Sequence, residues 1–175
     1  MENTDWPELV HTCSKDLLHL AYSYLKNTQE AEDSVQEAFL KAVSKNMQFE
    51  NMGHAKAWLA RSTINICKNK LRSPWHKKRI SLEEPGIYEV IRTSPSASPE
   101  EKAIQNDRDI QLLETVMSLP EKYREVIVLY YLEEYPVPEI AKILQKSIST
   151  ITTRLQRGRK KLLEVIERKD YYDRT

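Results

Sequence analysis

The sequence predicts an all-α protein made of two small helical domains on a flexible linker, with a helix-turn-helix in the second. Three observations carry this. Apolar residues recur at intervals of three to four in both halves, the alternation of a β-strand appears nowhere in the first half, and proline, glycine and serine crowd the interval between 80 and 105. The expected division is residues 1–79, a linker over 80–105, and residues 106–175.

In the first helix Leu9, Cys13, Leu17, Leu20, Tyr24 and Leu25 share a face. Asn27 opens the second helix as an N-cap, with Glu30 placed three residues on to return the bond as in a capping box. Ala31, Val35, Ala38, Phe39 and Ala42 form its apolar side. A third helix is expected from about Ala55 to Leu71, stopping before Ser73 because a proline at 74 disfavours helical geometry in the residue before it. Trp58, at helical spacing within it, is assigned to the core.

The stretch "ISLEEPGIYEVIRTSPSASPEEK" breaks any helical pattern with Pro85, Gly86, Pro95 and Pro99. An internal loop this long is improbable in a compact small domain, whereas a tether between two domains is an ordinary use of it. Beyond it, Pro120 sits where the helix "PEKYREVIVLYYL" begins, because the first turn tolerates a missing amide hydrogen. Pro136 and Pro138 launch a short helix whose Ile140, Ile143 and Leu144 face a core. A last helix places Ile148, Ile151, Leu155, Leu162 and Ile166 on one stripe, with Gly158 on the same side leaving room for close packing.

The formal net charge of +1 conceals strong segregation. Charges up to Glu50 are mostly acidic, and from Lys56 to Arg79 every charged residue is basic. Acidic residues dominate from Glu83 to Asp109, and a second basic block includes Lys142, Lys146, Arg154, Arg157, Arg159, Lys160 and Lys161. One such block is an ordinary solvated face; two suggest two contacts with polyanion. The longest apolar run, "VIVLYYL", is far too short to span a bilayer, so no direct membrane insertion is expected and the chain is placed in the cytoplasm. Cys13 and Cys67 form no CxxC pair, and the four histidines show no ligand spacing with them, so neither a metal nor another cofactor is expected. The sequence has no phosphate-cradling glycine loop and no nucleophile with a recognisable base, so the expectation is a protein that is not an enzyme by itself.

The polar face of the last helix carries Ser149, Thr150, Thr153, Gln156, Arg157 and Lys160, flanked by Arg154 and Lys161. Short hydroxyls cap the helix or bond phosphate and base edges, and longer glutamine and arginine side chains reach further into a major groove. With the short helix and brief turn before it, this is the profile of a recognition helix.

On these residues the chain resembles a known family. "LPEKYREVIVLYYLEEYPVPEIAKILQKSISTITTRLQRGRKKL" is similar to the promoter-binding domain of bacterial sigma factors, especially the extracytoplasmic-function (ECF) group. "NTQEAEDSVQEAFLKAV" resembles that group's polymerase-binding helix, and "AWLARSTINICKNKLR" the helix that reads the minus-ten promoter element. The resemblance implies that Glu32, Asp33, Gln36 and Glu37, with Phe39 beside them, dock on core RNA polymerase. It implies that Asn65, Lys68, Asn69 and Arg72, with backbone-binding Lys56 and Arg61 and the loop "FENMGHAK", engage melted promoter DNA, while the last helix reads the minus-thirty-five element. An anti-sigma factor is the further partner implied. The chain departs from the family pattern at Asn69, where an acidic residue is usual, at Ser62, where isoleucine is, at Ser149, where glycine is common, and at Gln145, where glycine or asparagine would ease a left-handed backbone. The rival reading is a helix-turn-helix repressor with an N-terminal sensor domain, which would bind its operator without polymerase.

Overall fold

The computed structural model describes residues 5–79 and 111–173, so the expected linker and its boundaries lie outside the described residues. The chain divides into two compact units, Met1–Gly86 and Ile87–Thr175. Regular structure among the described residues is helical throughout.

In the first unit, α1 spans Trp6–Leu25, α2 Thr28–Ser44, α3 Met52–Arg72 and α4 Pro74–Arg79. Three short polar side chains start the long helices: Asp5, Asn27 and Asn51 each accept the amide hydrogen three residues on, from Glu8, Glu30 and His54 at 3.1, 2.9 and 2.9 Å. The Glu30 carboxylate reaches His76, with Oε2 3.4 Å from Nδ1. The third helix thus begins at Met52, three residues earlier than the periodicity suggested, because Asn51 caps it. Most of the segment read as a loop is therefore its first turn. It ends at Arg72 with Ser73 in an extended conformation, as Pro74 requires. The short α4 that follows was not anticipated; its six residues are too few to show a period.

The expected faces of α1 and α2 are inside, apart from Phe39 of α2, which is only half-buried. Leu9, Cys13, Leu17, Leu20, Tyr24 and Leu25 are buried, as are Ala31, Val35, Ala38 and Ala42. The small residues of α2 let α1 and α3 approach it closely, and each of the three helices packs on the other two. Phe49, fully buried, sits among the rings of Trp6, His54 and Trp58, at 6.3, 5.7 and 5.9 Å between centroids. Trp58 is half-buried and belongs to this cluster. In α3 the Ser62 and Thr63 hydroxyls are buried with no hydrogen-bond partner.

In the second unit, residues 111–117 form α5, Glu121–Ile127 form α6, Val137–Leu144 form α7 and Ile148–Asp173 form α8. Pro120 and Pro136 stand at the N-caps of α6 and α7, in the positions expected of them. Buried Arg124 donates from Nη1 to the carbonyls of Met117 and Leu119 at 2.9 and 3.2 Å, satisfying the end of α5 from within α6. The helix after Pro120 is not α-helical to its end. Val128–Leu132 widens into a π-helical turn, closed by Glu133 N–H to Val128 O at 3.1 Å, and Tyr130, Tyr131 and Leu132 face outward.

The packing of α6 on α8 depends on Gly158. A Cβ there would lie 3.1 Å from Ile127 Cγ1, so the absence of a side chain sets how near the helices come. Ile151 and Leu155 are buried and Leu162 and Ile166 half-buried along the same stripe. Ile148, the first residue of α8, differs from expectation: it is 55% exposed.

Candidate nucleic-acid interface

On α2, Glu32, Asp33, Gln36 and Glu37 are exposed and Phe39 is half-buried. Asp33 accepts a hydrogen bond from Gln29 at 3.2 Å, one turn back on the same surface. Two residues that the charge pattern did not single out complete the stripe: Leu40 is 68% exposed and Val43 49%. With Asp33 and Gln36 they follow each other at three- and four-residue steps, so the face is acidic and polar at its start and apolar at its end. The signal was present in "AFLKAV", where apolar residues outnumber the positions one buried face can absorb.

On α3, Arg61, Asn65, Asn69 and Arg72 are exposed, and Lys68 is half-buried with Nζ 5.6 Å from the centre of the Tyr24 ring. Arg61, Asn65, Lys68 and Arg72 lie along one side of the helix. Lys56 does not join them, since five residues correspond to a rotation of about 140°. Glu37 and Lys41 of α2 line a shared open groove with Asn65, Asn69 and Lys70 of α3. Of the residues expected at the polymerase and at melted DNA, Glu37 and Asn65 with Asn69 share this groove.

In the second unit, α7 and α8 are joined by Gln145, Lys146 and Ser147. Gln145 takes the left-handed conformation, φ 54° and ψ 47°, and the Lys146 amide returns to the Ala141 carbonyl at 2.9 Å, so the chain leaves α7 through a Schellman-type end without glycine. Ser147 supplies the cap of α8. Its Oγ accepts the Thr150 amide hydrogen at 3.1 Å and lies 2.8 Å from the Thr150 hydroxyl, so Thr150 is engaged in holding the helix start.

The predicted face of α8 separates into a free stripe and a tethered flank. Ser149, Thr153, Gln156 and Lys160 are exposed along one line at steps of three and four. Arg154, Arg157 and Lys161 lie further round, toward α6. Arg154 Nη1 is 2.7 Å from Glu125 Oε1, and Glu125 is a buried carboxylate. Lys161 Nζ stands 5.9 Å from the centre of the buried Tyr123 ring, and Lys122 covers the same ring at 5.0 Å. Burial raises the pKa of the Tyr123 phenol, but Lys122 and a hydrogen bond from Arg157 outweigh it and leave the group more acidic than an ordinary tyrosine. Tyr123 thus lies beside two cations of α8, Lys161 and Arg157. Its contribution was invisible in a sequence where it reads only as one more apolar position.

Cys13 and Cys67 are both buried, and burial lifts the Cys67 thiol to about 12. No group of acidic, histidine and cysteine side chains suited to a metal occurs among the described residues, and no described helix is long and apolar enough to cross a membrane.

Comparison with known proteins agrees in both units. Residues 9–77 match the Sigma-70 region 2 family, and residues 109–162 match Sigma-70, region 4. The ECF RNA polymerase sigma factor SigW of Bacillus subtilis is 30% identical over 160 residues, which cover 89% of this chain and 85% of SigW. The probable RNA polymerase sigma factor RfaY of Xanthomonas campestris is 30% identical over 167 residues, 95% of this chain; the chain spans only 42% of that longer relative. The fold is shared with the sigma factor RpoE solved in complex with the anti-sigma factor NepR from Bartonella quintana, at a TM-score of 0.67 and 21% identity, covering 93% of this chain and 97% of that one. It is shared also with CnrH, solved in complex with the cytosolic domain of CnrY, at a TM-score of 0.62 and 23% identity, covering 93% of this chain and 87% of that one. With region 2 and region 4 in order along a helical chain, and a relative matched over most of both lengths, this protein belongs to the ECF sigma factors of RNA polymerase.

Proposed function

We propose that the chain is a dissociable promoter-specificity subunit: it binds core RNA polymerase, brings it to promoters and helps to hold them open. The observation that carries this reading is the pairing of two matched sigma regions, one with an acidic-to-apolar outer helix and the other with a capped polar recognition helix. The residues 1–79 would bind core enzyme through the exposed face of α2 and melted minus-ten DNA through α3. Residues 106–175 would place α8 in the major groove of the minus-thirty-five element, with residues 80–105 as the tether.

The physics favours such a division of labour. Duplex contacts by Ser149, Thr153, Gln156 and Arg157 read base edges, while lysines and arginines on the phosphates add affinity that falls with salt. A base taken out of its stack exposes faces and edges that the duplex hides, so binding energy won on melted DNA shifts the promoter toward its open state. Catalysis belongs to the polymerase; the chain itself contributes recognition, and its place of action is the cytoplasm. The neighbour RpoE was solved bound to an anti-sigma factor, which supports a protein inhibitor of that kind as the further partner of this chain. The repressor reading is not favoured by the family assignment.

The test is transcription in a purified system. Core polymerase supplied with this chain should start at discrete promoters that core enzyme alone ignores. Operator binding by the free chain with no effect on core polymerase would overturn the proposal.

A further inference from the structure

Cations of two helices gather on one buried ring that none of the proposed contact surfaces uses. Tyr123 of α6 is 7% exposed, with Lys122 Nζ 5.0 Å and Lys161 Nζ 5.9 Å from the centre of its ring. Its hydroxyl takes a hydrogen bond from Arg157 of α8. A Cβ on Gly158 would lie 3.5 Å from Tyr123 Cβ, so the tyrosine leaves α6 beside the residue that follows Arg157. Lys161 stands one turn beyond Arg157 on α8, and the ring lies against both.

Burial decides which of these groups is fixed. The ring cannot turn without opening the packing of α6 on α8, whereas an exposed arginine keeps its rotamer freedom until something holds it. Tyr123 is the anchor and Arg157 the anchored group.

The kind of anchor matters as much as its rigidity. Arg154, three residues earlier, is held by the Glu125 carboxylate at 2.7 Å, and a carboxylate offsets the charge of the arginine it holds. A phenol hydroxyl occupies one donor of the guanidinium and leaves the other donors and the positive charge for DNA. Ordering those donors before binding lowers the entropy cost of using them, and a guanidinium held at one angle fits one arrangement of base acceptors better than the rest.

We infer that Tyr123 is a positioning residue for promoter recognition: from α6 it holds the Arg157 guanidinium at a fixed angle beside the reading stripe of α8, and so sharpens discrimination at one base pair. The inference rests on the proposed promoter function. It adds a residue outside the α7–α8 pair that acts through Arg157 without touching DNA.

The experiment uses the full chain bound to core polymerase and a set of promoters in which each minus-thirty-five base pair is changed in turn. Arg157→Ala identifies the base pair that Arg157 reads. Tyr123→Phe keeps the ring and removes the hydroxyl; it should lower discrimination at that same base pair about 2- to 10-fold, in the range of one hydrogen bond, and leave the other positions and core affinity within about twofold. In the Arg157→Ala background Tyr123→Phe should add nothing. Urea unfolding shows that each variant is folded under the binding conditions. Full discrimination by Tyr123→Phe overturns the inference and leaves the function standing. A loss spread evenly over all promoters, or one that persists in the Arg157→Ala background, also overturns it by giving Tyr123 a merely structural role. Should Arg157→Ala change no base preference, the inference falls with base reading by Arg157, and a wild-type complex indifferent to the whole minus-thirty-five set would overturn the promoter function itself.

Discussion

The Arg154 guanidinium lies 2.7 Å from the Glu125 carboxylate, a pair that ties α8 to α6 with Glu125 only 4% exposed. Removing the arginine would leave a buried carboxylate without this cation. Arg154→Ala should therefore destabilise the second unit by about 2–4 kcal/mol, toward the lower part of that range because the arginine side is partly solvated. Urea unfolding of the full chain checks it. A variant of unchanged stability that binds promoter DNA poorly would make Arg154 a DNA contact first and a structural residue second.

Gln145 holds a left-handed conformation that costs any residue with a Cβ and costs glycine nothing sterically. Gln145→Gly should raise stability by about 0.5–1 kcal/mol, and Gln145→Val should lower it by more than that. Thermal melts of the three proteins give the order directly.

These two positions show what the sequence makes legible. Local rules spoke clearly: the faces of α1 and α2, the stop before Pro74, the proline starts of α6 and α7, the role of Gly158 and the strained place of Gln145 all follow from neighbours a few residues apart. Interactions across the fold were silent. Glu125 and Arg154 are 29 residues apart, and nothing in either neighbourhood announces the other. The π-helical turn at Val128–Leu132 escaped for another reason, since five residues cannot separate its period from that of an α-helix. Leu40 and Val43 were passed over because apolar residues on a helix are ordinarily inside.

Arg157 and Lys161 should part company when DNA is varied. Arg157→Ala should change discrimination among minus-thirty-five variants, losing about 1–3 kcal/mol at one base pair, whereas Lys161→Ala should weaken all promoters alike and reduce the salt dependence. Tyr123→Phe, which removes the hydroxyl beside Arg157, should reproduce part of the Arg157 effect. Equal and sequence-independent losses from Arg157→Ala and Lys161→Ala would assign Arg157 to phosphate.

The buried Cys67 thiol predicts an alkaline limit. Below about pH 9 the folded and unfolded chains both keep the proton, and the group adds no pH dependence. Between there and about 12 the unfolded chain ionises while the folded one does not, so stability falls as pH rises. Cys67→Ala should lower stability at neutral pH through the lost packing and flatten the decline above pH 9. Chemical denaturation from pH 7 to pH 10.5 compares the two slopes; an unaltered slope would remove Cys67 as its source.

The side chains proposed for docking and for reading are separate, and the account stands or falls on whether they separate in function. Asp33 and Gln36 lie one turn apart on the outer surface of α2, while Arg157 and Lys160 are exposed on α8. The direct measurement is a core-polymerase pull-down run beside transcription from a cognate promoter, with circular dichroism confirming the fold of each variant. Asp33→Ala/Gln36→Ala should bind core poorly and lose promoter-directed transcription. Arg157→Ala/Lys160→Ala should bind core as wild type does and select promoters badly. Normal core binding and full transcription by the first variant would contradict the docking face, and a wild-type chain that never binds core would contradict the sigma-factor account itself.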